Sequence, residues 1–308
     1  MSLLLIPLLT LASLLAGAYA VAVFERWLAP GGRAGLALLA PLHEARGLLS
    51  QENLVPTGAD RFLYRSAPLF ALGAVSLAAL VIPLGPGLVA IDMSVGLFYF
   101  IIILGPVVVA LMNAGWASGA RTGLFGTFRA AIHLVSYEVP IGFAALGPVM
   151  HAQSLSTVRI VEAQGVLWYV LWQPLGLFIY LVSALVMSYR RPFDVPLAGS
   201  ELGGGVLAEH SGPHLFLFKL SLDALFVLLM AMGVVLFFGG WRGPWLPGWL
   251  WMALKTGLLS TLVLWVSRRL PRLRQDHVFK LSWKLLLPLS LLNVLAVGLL
   301  TFIVPGGI

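Results

Sequence analysis

The chain contains no cysteine among its 308 residues. Disulfides, cysteine-ligated iron–sulfur clusters and cysteine-ligated zinc are therefore excluded in this chain. Histidine is also scarce, with six residues, and only His133 falls clearly inside an apolar run. A haem held by facing histidine pairs is therefore not expected, and no metal site is predicted. Any redox chemistry must belong to a partner or to a bound small molecule.

Charge is equally scarce. Only 10% of the residues are charged and 60% are hydrophobic, whereas soluble domains carry about 25% charged residues. The mean hydropathy is +0.97. The net charge of +7 comes from basic residues that flank apolar runs, which is their usual topological use and not a nucleic-acid surface. The composition therefore predicts an integral membrane protein that contacts lipid and binds no nucleic acid.

Eight apolar runs are long enough to cross a bilayer, which takes roughly 17–25 residues. We predict an all-α, polytopic membrane protein with one transmembrane domain over residues 1–308. The first run has no basic residue before it and no small-residue cleavage site, so we expect a retained helix and not a signal peptide. The runs cover residues 3–24, 66–85, 94–114, 130–150, 166–188, 214–238, 249–267 and 284–304.

Basic residues are concentrated in alternate loops. Fifteen of the nineteen Lys and Arg residues fall in or beside the first, third, fifth and seventh connections, and only Arg159 and Arg242 fall on the other side. By the positive-inside rule, the first, third, fifth and seventh connections are cytoplasmic and both termini lie on the outer side. We expect the membrane to be a bacterial plasma membrane. The fifteen are Arg26, Arg33, Arg46, Arg61, Arg65, Arg121, Arg129, Arg190, Arg191, Arg268, Arg269, Arg272, Arg274, Lys280 and Lys284.

The first cytoplasmic loop, residues 25–65, contains leucines at helical spacing in "GLALLAPLHEARGLLSQENL". Glu44, Arg46 and Glu52 interrupt them, which predicts an amphipathic helix at the membrane interface. Two interpretations stay open. The helix is either a surface-lying connector, or it walls a cavity or docks a partner.

Ionisable residues inside spans are costly and are functional candidates by default. Glu138, Lys219, Asp223 and Lys255 lie at membrane depth, and Asp194, Glu201 and Glu209 fall in the acidic loop 189–213. We predict that these residues form a relay for protons. The simpler alternatives are an internal Lys219–Asp223 pair, four residues apart on one helix face, and a Lys255 side chain that extends toward the headgroups.

Four separated motifs carry a family resemblance. They are "GWASGARTGLFGTFRAAIHLVSYE" at 115–138, "RRPFDVPLAGSEL" at 190–202, "FFGGW" at 237–241 and "PRLRQDHVFKLSWKLLLPLSLLN" at 271–293. In this order they resemble the membrane subunit of respiratory complex I known as subunit 1. The similarity extends from "FERW" at 24–27 to Asn293.

The resemblance implies a subunit, without a redox centre of its own, of an NADH:quinone oxidoreductase. Such a subunit joins hydrophilic iron–sulfur subunits on the cytoplasmic side to small membrane subunits and antiporter-like subunits. No cofactor is bound by this chain alone, and quinone is expected at its interface with partners. We assign the quinone cavity and the docking surface to Arg33, Glu44, Arg46, Asp60, Arg61, Arg65, Arg190 and Arg191.

The chain departs from the family pattern at several acids. Leu197 and Gly199 stand in the acidic loop where acids are usual, and Gly105 stands for a glutamate of the third span. The acid of the sixth span falls at Leu222, with Asp223 one place along. The same subunit type occurs in membrane-bound nickel–iron hydrogenase and formate hydrogenlyase complexes, which is the alternative function. A stand-alone ion transporter is a further alternative, although the internal repeat that it predicts is not visible.

Overall fold

The computed structural model describes residues 2–28, 34–165, 167–197 and 203–303. Within these ranges the chain forms helices joined by turns and loops, without a strand. The helices are α1 (Ser2–Trp27), α2 (Ala34–Ser50), α3 (Arg61–Ala79), α4 (Gly96–Ala117), α5 (Arg121–Ala152), α6 (Thr157–Ala163), α7 (Tyr169–Trp172), α8 (Pro174–Met187), α9 (Gly212–Phe237), α10 (Gly248–Arg269), α11 (Gln275–Leu281) and α12 (Leu287–Ile303). The polytopic all-α prediction is confirmed.

In the described ranges, seven helices are long and apolar enough to span a membrane. They correspond to seven of the eight predicted runs, and the last continues from α11 through a π-helical turn at Ser282–Leu286 into α12. The amphipathic helix predicted in the first loop is α2, whose Leu38, Leu42 and Leu49 are more than half exposed.

The predicted span at 166–188 differs from the other seven. Its helical part is the 14-residue α8, about 21 Å long at 1.5 Å per residue, against a hydrocarbon core of about 30 Å. The break falls at Gln173, which has φ −132° and ψ 53°, directly before Pro174. A residue before proline is disfavoured in the helical region, so α7 and α8 cannot join into one straight helix.

The loops gather at two opposite ends of the bundle. At one end, Asp60 N donates to Ala117 O and Leu273 N donates to Pro192 O, so the first, third, fifth and seventh connections meet there. We call this the basic end, because it holds the predicted Arg-rich loops. At the other end, Leu97 N donates to Leu155 O, and Thr157 Oγ1 donates to Val81 O at 2.8 Å.

The centre of the bundle is α9. In its most apolar 18-residue window 89% of the residues are buried, against 22% for α1. Small and apolar side chains cover every face of α9, so neighbouring helices can surround it. The N-terminal part of α9 is less enclosed: the Lys219 side chain is 47% exposed, whereas that of Asp223 is 22% exposed.

Candidate functional site

The centre of the candidate site is the guanidinium of Arg190, which lies between two carboxylates. It donates through Nη1 to Glu25, at the end of α1, and through Nη2 to Asp223 on α9. The Arg190 side chain is 12% exposed, and the two carboxylates are 27% and 22% exposed. The guanidinium carbon also lies 5.4 Å from the ring centroid of Phe226. Three distant parts of the chain thus meet at one cation.

The turn after α8 brings Arg190 to this position. Tyr189 adopts the left-handed conformation with φ +53°, and Arg190 N donates back to Leu185 O at 3.3 Å. Burial alone would lower the pKa of Arg190, but the carboxylates of Glu25 and Asp223 outweigh burial and raise it. The guanidinium therefore stays charged, and any proton exchanged within this group belongs to a carboxylate.

A second ion-pair group lies beside the first. Glu44 on α2 accepts a hydrogen bond from Lys219 Nζ at 2.6 Å and also pairs with Arg26 at the end of α1. The alternative of a direct Lys219–Asp223 pair is not what the structure has: the two residues share a face of α9, but Lys219 binds Glu44 and Asp223 binds Arg190. Long side chains on two other elements, Glu44 on α2 and Arg190 after α8, take the place of the neighbour one turn away.

Together the two groups form what we call the charge cluster: Glu25, Arg26, Glu44, Arg190, Lys219 and Asp223. It contains three acids and three bases, so its formal charges cancel. In a half-buried setting, the gain or loss of a single proton leaves an uncompensated charge, which is costly at low dielectric.

Asp194 holds the start of the acidic loop in place. Its carboxylate lies 2.9 Å from Arg272 Nη2 and 3.9 Å from Arg191 Nε. Arg129 Nη1 donates to Val195 O at 3.4 Å. Of the predicted relay members, Asp194 thus lies in an ion pair with the seventh connection, while Arg191 remains 60% exposed.

The end of the acidic loop packs on α3. Tyr64 donates to the backbone carbonyl of Glu209 at 2.6 Å and stacks on His210 with ring centroids 4.2 Å apart. Burial lowers the pKa of His210 to about 4, with the nearby His214 acting in the same direction. His210 is therefore neutral at physiological pH and acts as a packing group. The Glu209 side chain is exposed.

Glu138 lies on α5 and contacts no member of the charge cluster by an ion pair or hydrogen bond among the described residues. Its Oε1 lies 3.8 Å from the point where a Cβ of Gly105 would be. The resemblance implied an acid at position 105, so Glu138 faces the site of a missing carboxylate on α4. Among the described residues Glu138 forms no ion pair within 4 Å.

The remaining predicted docking residues lie at the basic end, where their contacts differ. Asp60 caps α3 by accepting hydrogen bonds from Phe62 N at 3.0 Å and Leu63 N at 3.2 Å. The side chains of three arginines are exposed, namely Arg46, Arg61 and Arg65. Two predicted site residues, Arg33 and Glu201, lie outside the described residues.

Lys255, also predicted as a relay residue, lies apart from the charge cluster. Its ammonium donates to the carbonyls of Phe238 at 2.7 Å, Gly240 at 3.1 Å and Arg242 at 2.6 Å. Phe238 follows Asp223 by fifteen residues, about 22 Å along α9. Lys255 thus donates to free carbonyls at and just beyond the end of α9, on the opposite side of the bundle from the charge cluster.

We expect Lys255→Met to destabilise the protein by about 1–3 kcal/mol, because three buried carbonyls lose their donor. The quinone-reductase turnover that the sequence resemblance implies should, per assembled complex, match the wild type. Thermal melting of the purified complex measures the first quantity and a turnover assay the second. Lys280→Met, at an exposed site, is the control. Lost turnover in a complex of normal stability would contradict the structural role of Lys255.

Sequence reasoning missed Glu25 and Arg26 as members of the site. A signal was present, since Glu25 is one of only twelve acids and ends an apolar run. The hydropathy pattern alone, however, does not predict which residue pairs with an acid at the edge of a span. The partner came from a segment 165 residues away.

The fold and site define a polytopic membrane protein with a charge cluster at one end. The family model for NADH dehydrogenase matches residues 1–298. An H-type subunit of NADH-quinone oxidoreductase from Rhodopseudomonas palustris (strain BisB5) is 40% identical over 252 residues, covering 82% of this chain and 79% of the relative. The H-type subunit from Syntrophobacter fumaroxidans (strain DSM 10017 / MPOB) is 36% identical over 301 residues, covering 92% and 91%.

The H-type subunit of the same oxidoreductase from Rhizobium meliloti (strain 1021) is 37% identical over 273 residues, covering 85% of this chain and 83% of the relative. The chain therefore belongs to the NADH dehydrogenase family, within its group of H-type subunits of NADH-quinone oxidoreductase. The predicted resemblance to the complex I subunit is confirmed. The match favours this function over the hydrogenase-type and transporter alternatives.

Proposed function

We propose that this chain is the membrane-arm subunit that links a peripheral NADH-oxidising module and its quinone chamber to ion-translocating membrane subunits. The observation that supports this most strongly is the bridged Glu25–Arg190–Asp223 group at the basic end. Hydrophilic subunits would dock on the exposed arginines of this end, and quinone would bind between them and the chain. By the distribution of arginines, this end faces the cytoplasm.

The charge cluster would sense the redox state of quinone through electrostatics. A unit negative charge at about 10 Å, in a medium of effective dielectric about 20, shifts the energy of a proton on Asp223 by about 1.7 kcal/mol. A change of this size moves a proton equilibrium by more than about tenfold. Reduction of quinone would therefore favour protonation of Asp223, which neutralises one of the two partners of Arg190.

Release of that partner would redistribute charge within the cluster. Arg190 would stay paired with Glu25. The cluster would then carry one excess positive charge, which would attract Glu44 and weaken the ion pairs of Glu44 with Lys219 and Arg26. Glu138, on α5 opposite Gly105, would continue the relay toward the membrane interior. Lys255 takes no part, because its ammonium is held by carbonyls at the other end.

The proposal is tested by purifying the complex through a tag on this chain. We expect co-purification of hydrophilic iron–sulfur subunits and of other membrane subunits, with NADH-dependent reduction of a short-chain quinone. An isolated chain that transports ions alone would contradict the proposal. A nickel-containing partner and hydrogen evolution without quinone reduction would support the hydrogenase-type alternative instead.

A further inference from the structure

An apolar cavity of about 770 Å³ lies outside the charge cluster. It runs between α1 and α10 and has α9 as its floor, so we call it the α1–α10 groove. Its α1 wall includes Leu9 and Gly17, and its α10 wall includes Ala253 and Gly257. No step of the proposed function uses this groove.

The groove is closed at its floor and open at its side. A Cβ at Gly17 would lie 2.7 Å from Val227 Cγ1, so α1 and α9 touch there and nothing can pass more deeply. At Gly257, by contrast, a Cβ would meet no atom within 4 Å. Beside the groove, Leu8 is 65% exposed and Leu258 is 62% exposed. The opening therefore faces the region where lipid chains surround the protein.

Its length suits a lipid chain. The lining of α10 extends from Trp249 to Leu264 and that of α1 from Ile6 to Phe24. These stretches are about 22 Å and 27 Å long at 1.5 Å per residue, close to the roughly 30 Å of a bilayer core. A flexible chain can lie along the full groove, with one end at the basic end of the bundle.

The mouth at the basic end carries positive charge. Arg268 follows Leu264 by one helical turn on the same face of α10, and the charges that act on it are Glu25 first, then Arg191 and Arg190. Glu25, the acid beside this mouth, is already bound to Arg190. Arg269 lies over Trp265, 4.3 Å from the ring centroid, where an aromatic ring at headgroup level is favourable.

We propose that the α1–α10 groove binds an anionic phospholipid. An acyl chain fills the groove between Gly17 and Gly257, and the phosphate binds at Arg268. The apolar lining selects a hydrocarbon chain, and the cationic mouth selects a negative headgroup. The site would fasten α1, which is otherwise loosely packed, to α9 and α10.

Phosphatidylglycerol is the probe. The purified complex is delipidated, incubated with equal amounts of phosphatidylglycerol and phosphatidylcholine, isolated again, and its lipids are counted by mass spectrometry. Wild type should retain one phosphatidylglycerol more than Gly257→Leu, whose side chain occupies the groove. Gly73→Leu is the matched control, because Gly73 is an exposed glycine on α3 with equally free space, and it should bind like wild type.

Two further variants test the groove and the headgroup site separately. Ala253→Leu replaces Gly257→Leu if that variant does not assemble, and it should lose the same lipid. Arg268→Gln should lower the preference for phosphatidylglycerol about two- to fivefold, as expected for a partly exposed charge. Equal lipid retention in wild type and the filled variants would overturn the proposal. A partner helix or a quinone found in the groove of the intact complex would overturn it as well.

Discussion

Replacement of Arg190 by methionine is expected to destabilise the protein by about 3–5 kcal/mol. The change leaves Glu25 and Asp223 close together and without their shared cation, and an uncompensated buried charge has about this cost. Because α1, α8 and α9 meet at this residue, we expect less assembled complex in the membrane and a lower melting temperature. Native gel electrophoresis after stepwise heating measures both.

The matched control is Arg274→Met. The Arg274 side chain is 79% exposed and lies 3.9 Å from Asp276, so its loss should cost less than about 1 kcal/mol. Neutralising the carboxylates in the Arg190→Met background, as Glu25→Gln with Asp223→Asn, should restore a large part of the stability. Equal stability of the Arg190 and Arg274 variants would show that the bridge does not hold the bundle together.

The second large effect is expected for Asp223→Asn. An amide cannot take up a proton at this position, so quinone reduction can no longer change the charge of the cluster. We expect the number of protons moved per NADH oxidised to fall at least twofold in proteoliposomes. NADH:quinone turnover in the presence of an uncoupler should fall less, because the chemistry of the redox module is untouched.

Asp276→Asn makes the same chemical change at an exposed site, since the Asp276 side chain is 68% exposed. It should leave the ratio of protons to NADH unchanged. Asp223→Asn retains one hydrogen-bond acceptor for Arg190, so its fold should persist, and a native-gel comparison checks this. An unchanged ratio in well-assembled Asp223→Asn complex would remove Asp223 from the relay.

The spans were predictable because bilayer thickness and backbone hydrogen bonding leave few alternatives to long apolar helices. The prediction was wrong in the length of the fifth span. Residues 167–172 are as apolar as a helix requires, so hydropathy alone cannot distinguish them from helix. The combination of Gln173 and Pro174 could have marked the break, since residues before proline avoid helical geometry.

The candidate site was predictable only in part. Scarcity of charge pointed to Glu138, Lys219, Asp223 and Lys255, since each is costly to insert. It did not predict their partners, because Glu44, Arg190 and Glu25 come from segments far apart in the sequence. Lys219 and Asp223 illustrate this: their spacing favoured a direct pair, but tertiary contacts supplied each with a different partner.

Lys255 shows the opposite difficulty. Its place within an apolar run resembled that of a functional charge, yet its ammonium donates to the carbonyls of Phe238, Gly240 and Arg242. Local sequence cannot reveal these acceptors, because they arise from a loop that folds over α10. Intramembrane charge is thus a good guide to importance and a weaker guide to function.

The most direct test of the charge cluster is redox-difference infrared spectroscopy of the reconstituted complex. On reduction of quinone we expect a carboxyl C=O band to appear, which reports a newly protonated acid. The band should disappear in Asp223→Asn and persist in Asp276→Asn. Absence of any carboxyl band in the wild type, or the same band in Asp223→Asn, would contradict a cluster whose protonation follows the quinone.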